Sequence, residues 1–166
     1  MNIADITTLF HYSYWARDKV LATVATLDST AFTEPHPISY GSIAGALTHT
    51  LNVEHLWRIR CQTHSSPASV LFPELVTQLD VLRDAWQQEE QQMLSYLSEL
   101  TDEQLGASFH YRGLAGKPYQ NRLWDILMQC VNHGTHHRSE VATVLSMLRK
   151  PVGDIDYIIY LSRRDK

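Results

Sequence analysis

The chain has 166 residues, 44% of them hydrophobic and 19% charged, with a formal net charge of −4. That length predicts a single domain over 1–166 with enough chain to enclose a core, and the composition is that of a soluble globular protein. The acidic balance argues against a nucleic-acid partner, because only Arg163, Arg164 and Lys166 near the end approach a basic run.

The opening "MNIADITTLF" has no basic segment ahead of an apolar one, so no secretory signal is expected. No stretch reaches the roughly 20 apolar residues of a membrane span, so no membrane partner is expected. A first helix is predicted over about Ile3–Leu27, with Ile6, Phe10, Val20 and Val24 on its stripe, ending at Asp28-Ser29-Thr30. "FTEPHPISYG" holds two prolines and leads to a second helix from about Ser42, a natural N-cap, to Gln62. "THSSPAS" reads as a loop.

A third helix is predicted over about Pro73–Leu100, with proline in its first turn and an inner stripe of Leu75, Leu79, Leu82, Trp86, Met93, Leu97 and Leu100. "TDEQL" suggests a short extra turn, and "ASFHYRGLAGKPYQN" a loop or small hairpin. Asn121 is the expected cap of a fourth helix reaching about Arg149 and stopping at Pro151. The end, "DIDYIIYLSRR", is apolar enough to dock on the body. The expectation is an all-α four-helix bundle with a loop or hairpin before the last long helix. Trp15, Trp57, Trp86 and Trp124 are expected to brace its core.

Nine histidines are the unusual feature of the composition. The inner seam of the last helix runs Leu123, Ile126, Cys130, His133, His137, then Val141 or Val144 and Leu148. His133 and His137 replace core residues one turn apart, which lets both rings reach one ion. Two imidazoles in a dry core without partners would each cost roughly 1–3 kcal/mol, a cost a metal removes. In the second helix Ala46, His49, Val53 and Leu56 form a similar column, so His49 is the expected third ligand. His136 falls to the flank and His55 to a boundary, while His11, His36, His64 and His110 read as surface residues. Cys61 and Cys130 provide no disulfide framework, which fits a reducing cytoplasm.

"GSIAGALTHTLNVEHLW", "VNHGTHHRSEVATVL", "FHYSYWARDKVL" and "DIDYIIYL", in this order along the chain, resemble the DinB family of damage-inducible, YfiT-like metal-binding proteins. That family is unrelated to the DNA polymerase that shares its name. The resemblance implies a divalent metal on His49, His133 and His137, and a homodimer. It also implies relatives that transfer or isomerise small substrates with low-molecular-weight thiols in stress or detoxification.

Three neutral ligands leave a position open for water or substrate, and imidazole suits Zn²⁺ or Ni²⁺ best. A metal-activated thiol attacking an electrophile is the expected chemistry. A metal-dependent hydrolase and a non-catalytic, structural dimeric bundle are the alternatives. A zincin-type protease is disfavoured because Gly134 stands where that motif has its glutamate. For proton transfer or anion binding the candidates are Arg138, Glu89 or Glu90, and Tyr12 or Tyr14. Arg138 has an alternative role orienting a partner with Glu54 or Glu140, and Cys130 is a remote candidate for a fourth ligand.

Overall fold

A computed structural model describes residues 1–113 and 115–164; Lys166 of the basic tail and the end of the 1–166 span lie outside them. The described residues form a mostly helical fold with one small sheet. The order is α1 (Ile3–Val24), α2 (Ser29–Thr33), α3 (Ile43–Thr63), α4 (Leu79–Ser98), α5 (Asp102–Gly106), β1 (Ser108–Arg112), β2 (Pro118–Arg122), α6 (Leu123–Met147) and α7 (Tyr157–Arg164). α1 and α3 each pack against both α4 and α6. No described helix is long and apolar enough to cross a membrane.

Local chemistry explains most boundaries. Asn2 and Asp5 form a reciprocal capping box at the start of α1, at 2.9 and 3.0 Å. Ser42 Oγ accepts from the Gly45 amide at 3.0 Å and begins α3 where expected. The turn expected in "TDEQL" is α5, whose cap Thr101 pairs reciprocally with Gln104. Asp28-Ser29-Thr30 ends α1 but also opens the five-residue α2.

Two expectations need correction. α4 starts at Leu79, not Pro73, because the preceding segment is an extended strap. Asn52 satisfies both the N–H and the C=O of Phe72 at 2.8 Å, so this backbone needs no helix to pair its polar groups. Val76 is the buried residue of the strap, and Leu75, expected in the inner stripe, is 47% exposed. At α6, Asn121 does not cap the helix. It lies in β2 opposite Phe109, and Arg122 occupies the cap position, its guanidinium paired with Asp125 of the first turn.

The buried interior falls into two apolar clusters. One gathers Val20, Val24, Ile43, Leu47, Leu51, Leu82, Trp86, Val141 and Leu145. The other gathers Ile6, Phe10, Met93, Leu97, Leu105, Leu123 and Leu127. At the intervening helix positions sits a layer of buried polar groups: Ser13, Tyr14 and Arg17 of α1, Glu54 and Arg58 of α3, Glu89 of α4 and Arg138 of α6. Glu89 is gripped by Arg58 through Nε and Nη2 and by His55 Nδ1. Burial alone would raise its pKa, but these hydrogen bonds and charges outweigh it and hold Glu89 below the usual carboxylate range. Glu54 differs. Its bond from Tyr14 OH, at 2.8 Å, and the charges of Arg17 and Arg138 do not offset full burial and the nearby Glu89 charge, so its pKa is pushed up to about 7. α7 closes the fold from outside, its Tyr157 and Tyr160 rings packing on Tyr12, with Tyr160 also on Trp15.

Because the unfolded chain releases the Glu54 proton at lower pH than the native state does, this group's contribution is full below about 4.5 and is lost as pH rises through about 7. Glu54→Gln is expected to stabilise the protein by roughly 1–3 kcal/mol at pH 8 and by little at pH 5 in urea titrations. A variant weaker than wild type at pH 8 would mean that Glu54 is ionised and well paired.

Candidate metal centre

The seam between α3 and α6 carries the histidines. His49 comes from α3, and His133 and His137 come from successive turns of α6. His49 Nε2 lies 3.1 Å from His133 Nε2, which lies 3.2 Å from His137 Nε2. One ring nitrogen from each thus meets the others within 4.8 Å. His137 is buried, while His49 and His133 are half-buried, so the cluster opens toward solvent on one side.

The ring nitrogens of the cluster lack enough protons to satisfy one another. His137 Nδ1 donates to Glu140 Oε2 at 2.8 Å, which in the neutral ring leaves Nε2 a bare lone pair. His133 Nε2 faces a nitrogen on each side and carries at most one proton. The two contacts therefore cannot both be good hydrogen bonds between neutral rings. Three ligands on one tetrahedral zinc, with Zn–N bonds of about 2.0–2.1 Å, stand roughly 3.4 Å apart. The donor set and the separations fit a divalent ion that accepts imidazole.

Electrostatics point the same way. Burial, followed by the proximity of His137, pushes the His49 and His133 pKa values down to about 4. Both rings are therefore neutral at ordinary pH, the form that binds metal. Glu140 is held below the usual carboxylate range. Burial opposes this but is outweighed by hydrogen bonds from Ser39 and His137.

The loop before α3 completes the surroundings. Ser39 donates to Glu140 Oε1 through Oγ at 2.6 Å and through its amide at 3.3 Å. The Tyr40 ring stacks on His49, with centroids 3.7 Å apart and planes 15° apart, and meets His137 edge-on at 5.6 Å. Tyr40 is 57% exposed, so it roofs the cluster at the solvent boundary. This placement holds a non-glycine residue at φ +65°, which costs of order 1 kcal/mol. It also seats the Tyr40 carbonyl on α3, where a Cβ at Gly45 would lie 2.1 Å from the oxygen.

The other expected candidates point elsewhere. Arg138 is buried and donates to Ser13 Oγ at 2.8 Å and Thr135 Oγ1 at 2.9 Å, facing α1 rather than the three rings. Gly134 leaves room for its guanidinium, since a Cβ there would lie 2.8 Å from Nη1. Glu89 is engaged by Arg58 and His55, and Glu90 by Arg17. Tyr14 is bonded to Glu54, and Tyr12 joins the aromatic contacts of α7. Cys130 is buried among the apolar side chains of the second cluster and is not grouped with the three histidines. His136 is exposed and His55 is half-buried beside Glu89. Sequence reasoning named Glu140 only as a partner for Arg138 and missed Ser39 and Tyr40. The spacing of three residues between His137 and Glu140 was the available signal for that pair. The loop contacts had none.

The sequence model of the DinB family matches residues 1–164. Among solved structures, a DinB-like protein from Bacillus cereus ATCC 10987, a crystal structure at 2.01 Å resolution, superposes with a TM-score of 0.64 at 15% identity. The alignment covers 87% of this chain and 94% of that one, and at this identity it shows the shared fold. No curated protein gives a significant match.

Two outcomes are expected from this geometry. In chelator-treated protein the unfolded rings take up protons near pH 6.5, whereas native His49 and His133 do so only near 4. Stability present above 6.5 should therefore fall as pH drops toward 4. A His49→Leu/His133→Leu variant should show a flatter profile in urea titrations, and an unchanged slope would contradict the lowered pKa values. Gly45→Ala is expected to cost about 1–3 kcal/mol, because the atom it meets is backbone and cannot rotate away. A change below about 0.5 kcal/mol would show that the loop yields freely.

Proposed function

This chain belongs to the DinB family, and from that premise we propose that it is a metal-dependent enzyme that activates a small thiol for transfer to an electrophile. His49, His133 and His137 would hold one divalent ion, zinc or nickel by ligand type. The observation that carries the reading is the meeting of their three Nε2 atoms at the solvent-facing side of the α3–α6 seam. We read the four long helices as a four-helix bundle whose interior seam presents these rings.

When bound, a divalent ion with three neutral ligands supplies Lewis acidity at its remaining position and lowers the pKa of a thiol or water there. The protein's own groups prepare that position. Glu140 fixes the His137 tautomer and aims its Nε2 at the cluster, and Ser39 holds Glu140 in place. Tyr40 covers His49 and narrows the approach to the open side.

Thiol transfer is favoured over hydrolysis because, among the described residues, the carboxylate grouped with these histidines is already engaged. Gly134 follows the first α6 ligand, and both Glu140 oxygens are committed to His137 and Ser39. A free carboxylate would assist a water nucleophile, whereas a thiol, with an ordinary pKa near 8.5, ionises with less help than water. In the transfer the thiol proton passes to solvent and a sulfur–carbon bond forms. The leaving group departs with its bonding electron pair.

Elemental analysis of untagged protein is expected to find near one zinc or nickel per chain, lost in His49→Ala, His133→Ala and His137→Ala. The loaded protein should speed the reaction of a small thiol with a chloronitrobenzene, and His137→Ala should lower that rate at least about 100-fold. Full metal occupancy with no thiol consumption, but hydrolysis of test esters, would move the reading to a hydrolase. Occupancy without turnover of either kind would leave a metal-binding protein acting through its surface.

A further inference from the structure

The imidazole of His137 has two sides, and only its Nε2 edge faces the cluster. On its Nδ1 side, a second set of donors lies together. His136, His137 and Glu140 offer ligand atoms within 4.8 Å of one another. His136 Nε2 stands 3.8 Å from Glu140 Oε1, with the His136 side chain 68% exposed and that of Glu140 21%. Residues four apart on a helix share a face, so an ion can bridge them without disturbing the backbone. Two ligands on one tetrahedral zinc stand roughly 3.4 Å apart, a few tenths of an ångström closer than here, which the exposed His136 can supply by a small rotation.

We infer that His136 Nε2 and Glu140 Oε1 form a second, weaker divalent-cation site, filled after the three-histidine cluster and separate from it. Water completes its shell. His137 takes no part while its Nδ1–H donates to Glu140 Oε2. One imidazole and one carboxylate suit zinc, nickel and copper more than magnesium or calcium.

The site has a consequence built into its geometry. Glu140 Oε1 is the oxygen that receives both hydrogen bonds from Ser39. A cation on Oε1 competes for the lone pairs that hold the loop, while Oε2 keeps its bond to His137. The loop between His36 and Gly41 is otherwise closed by its own backbone bonds, His36 N–H to Gly41 O at 2.8 Å and Gly41 N–H to Ile38 O at 3.0 Å. It carries the Tyr40 ring that lies on His49. Excess cation therefore loosens the attachment of the roof over the cluster without removing a ligand from it, a response to metal surplus.

The test uses untagged, full-length protein stripped by chelator and titrated with zinc chloride alone. Calorimetry is expected to show two phases, the second at least about tenfold weaker, as a two-ligand site should be. His136→Ala, an exposed position, should abolish the second phase and leave the first within about threefold. Hydrogen exchange in 36–41 should accelerate when zinc exceeds one equivalent in wild type but not in His136→Ala. A single phase in wild type, a second phase that survives His136→Ala, or exchange in 36–41 indifferent to excess zinc would each overturn the inference. Failure of the primary site reads out separately, as a tight phase that persists in His133→Ala.

Discussion

The contact of α3 with α6 brings three nitrogen atoms closer together than neutral imidazoles can satisfy among themselves. His133 Nε2 has a ring nitrogen at 3.1 Å on one side and 3.2 Å on the other, with one proton at most to share. The rest of the local architecture answers to that constraint. Glu140 orients one ring, Ser39 holds Glu140, and Tyr40 covers a second ring on a backbone conformation that Gly45 alone accommodates. A cluster of lone pairs supported on this many sides is what binding a cation requires, and packing alone would have placed leucines there.

A different logic governs the polar layer deeper in the molecule. Glu89 has Arg58 and His55 around it and stays ionised, whereas Glu54 has chiefly a tyrosine hydroxyl and is driven toward its neutral form. The two carboxyls share the interior, and their partners separate their protonation states. Arg138 belongs to this layer through Ser13 and Thr135. The arginine beside the second α6 histidine thus ties α6 to α1, while the histidine itself faces α3. Adjacent residues on one helix serve two different interfaces.

Much of this was legible because long amphipathic helices repeat one signal many times. The boundaries of α1, α3 and α6 follow from caps and breakers such as Ser42 and Pro151, within a few residues. The inward column of His133 and His137 follows from the same spacing that places Leu123 and Ile126. Where one residue's local preference is the whole signal, a distant partner overrides it. Pro73 suits a first helical turn, yet Asn52, twenty residues earlier, claims the backbone of Phe72 and leaves an extended strap. Asn121 suits a cap, yet pairing with β1 takes it into a strand.

The sequence by itself determined the helical periodicity and which histidines share the α3–α6 seam, because these depend on local spacing along one chain, while its motifs carried the resemblance to the family. Only the tertiary structure decided which loop residue pins the supporting carboxylate, which aromatic ring covers the cluster, and which charged candidates are drawn into an ion-pair layer instead. Ser39 and Tyr40 become neighbours of the cluster only after a loop folds back across α6 from about a hundred residues away. No local pattern encodes such an encounter, because it arises from the packing of whole helices.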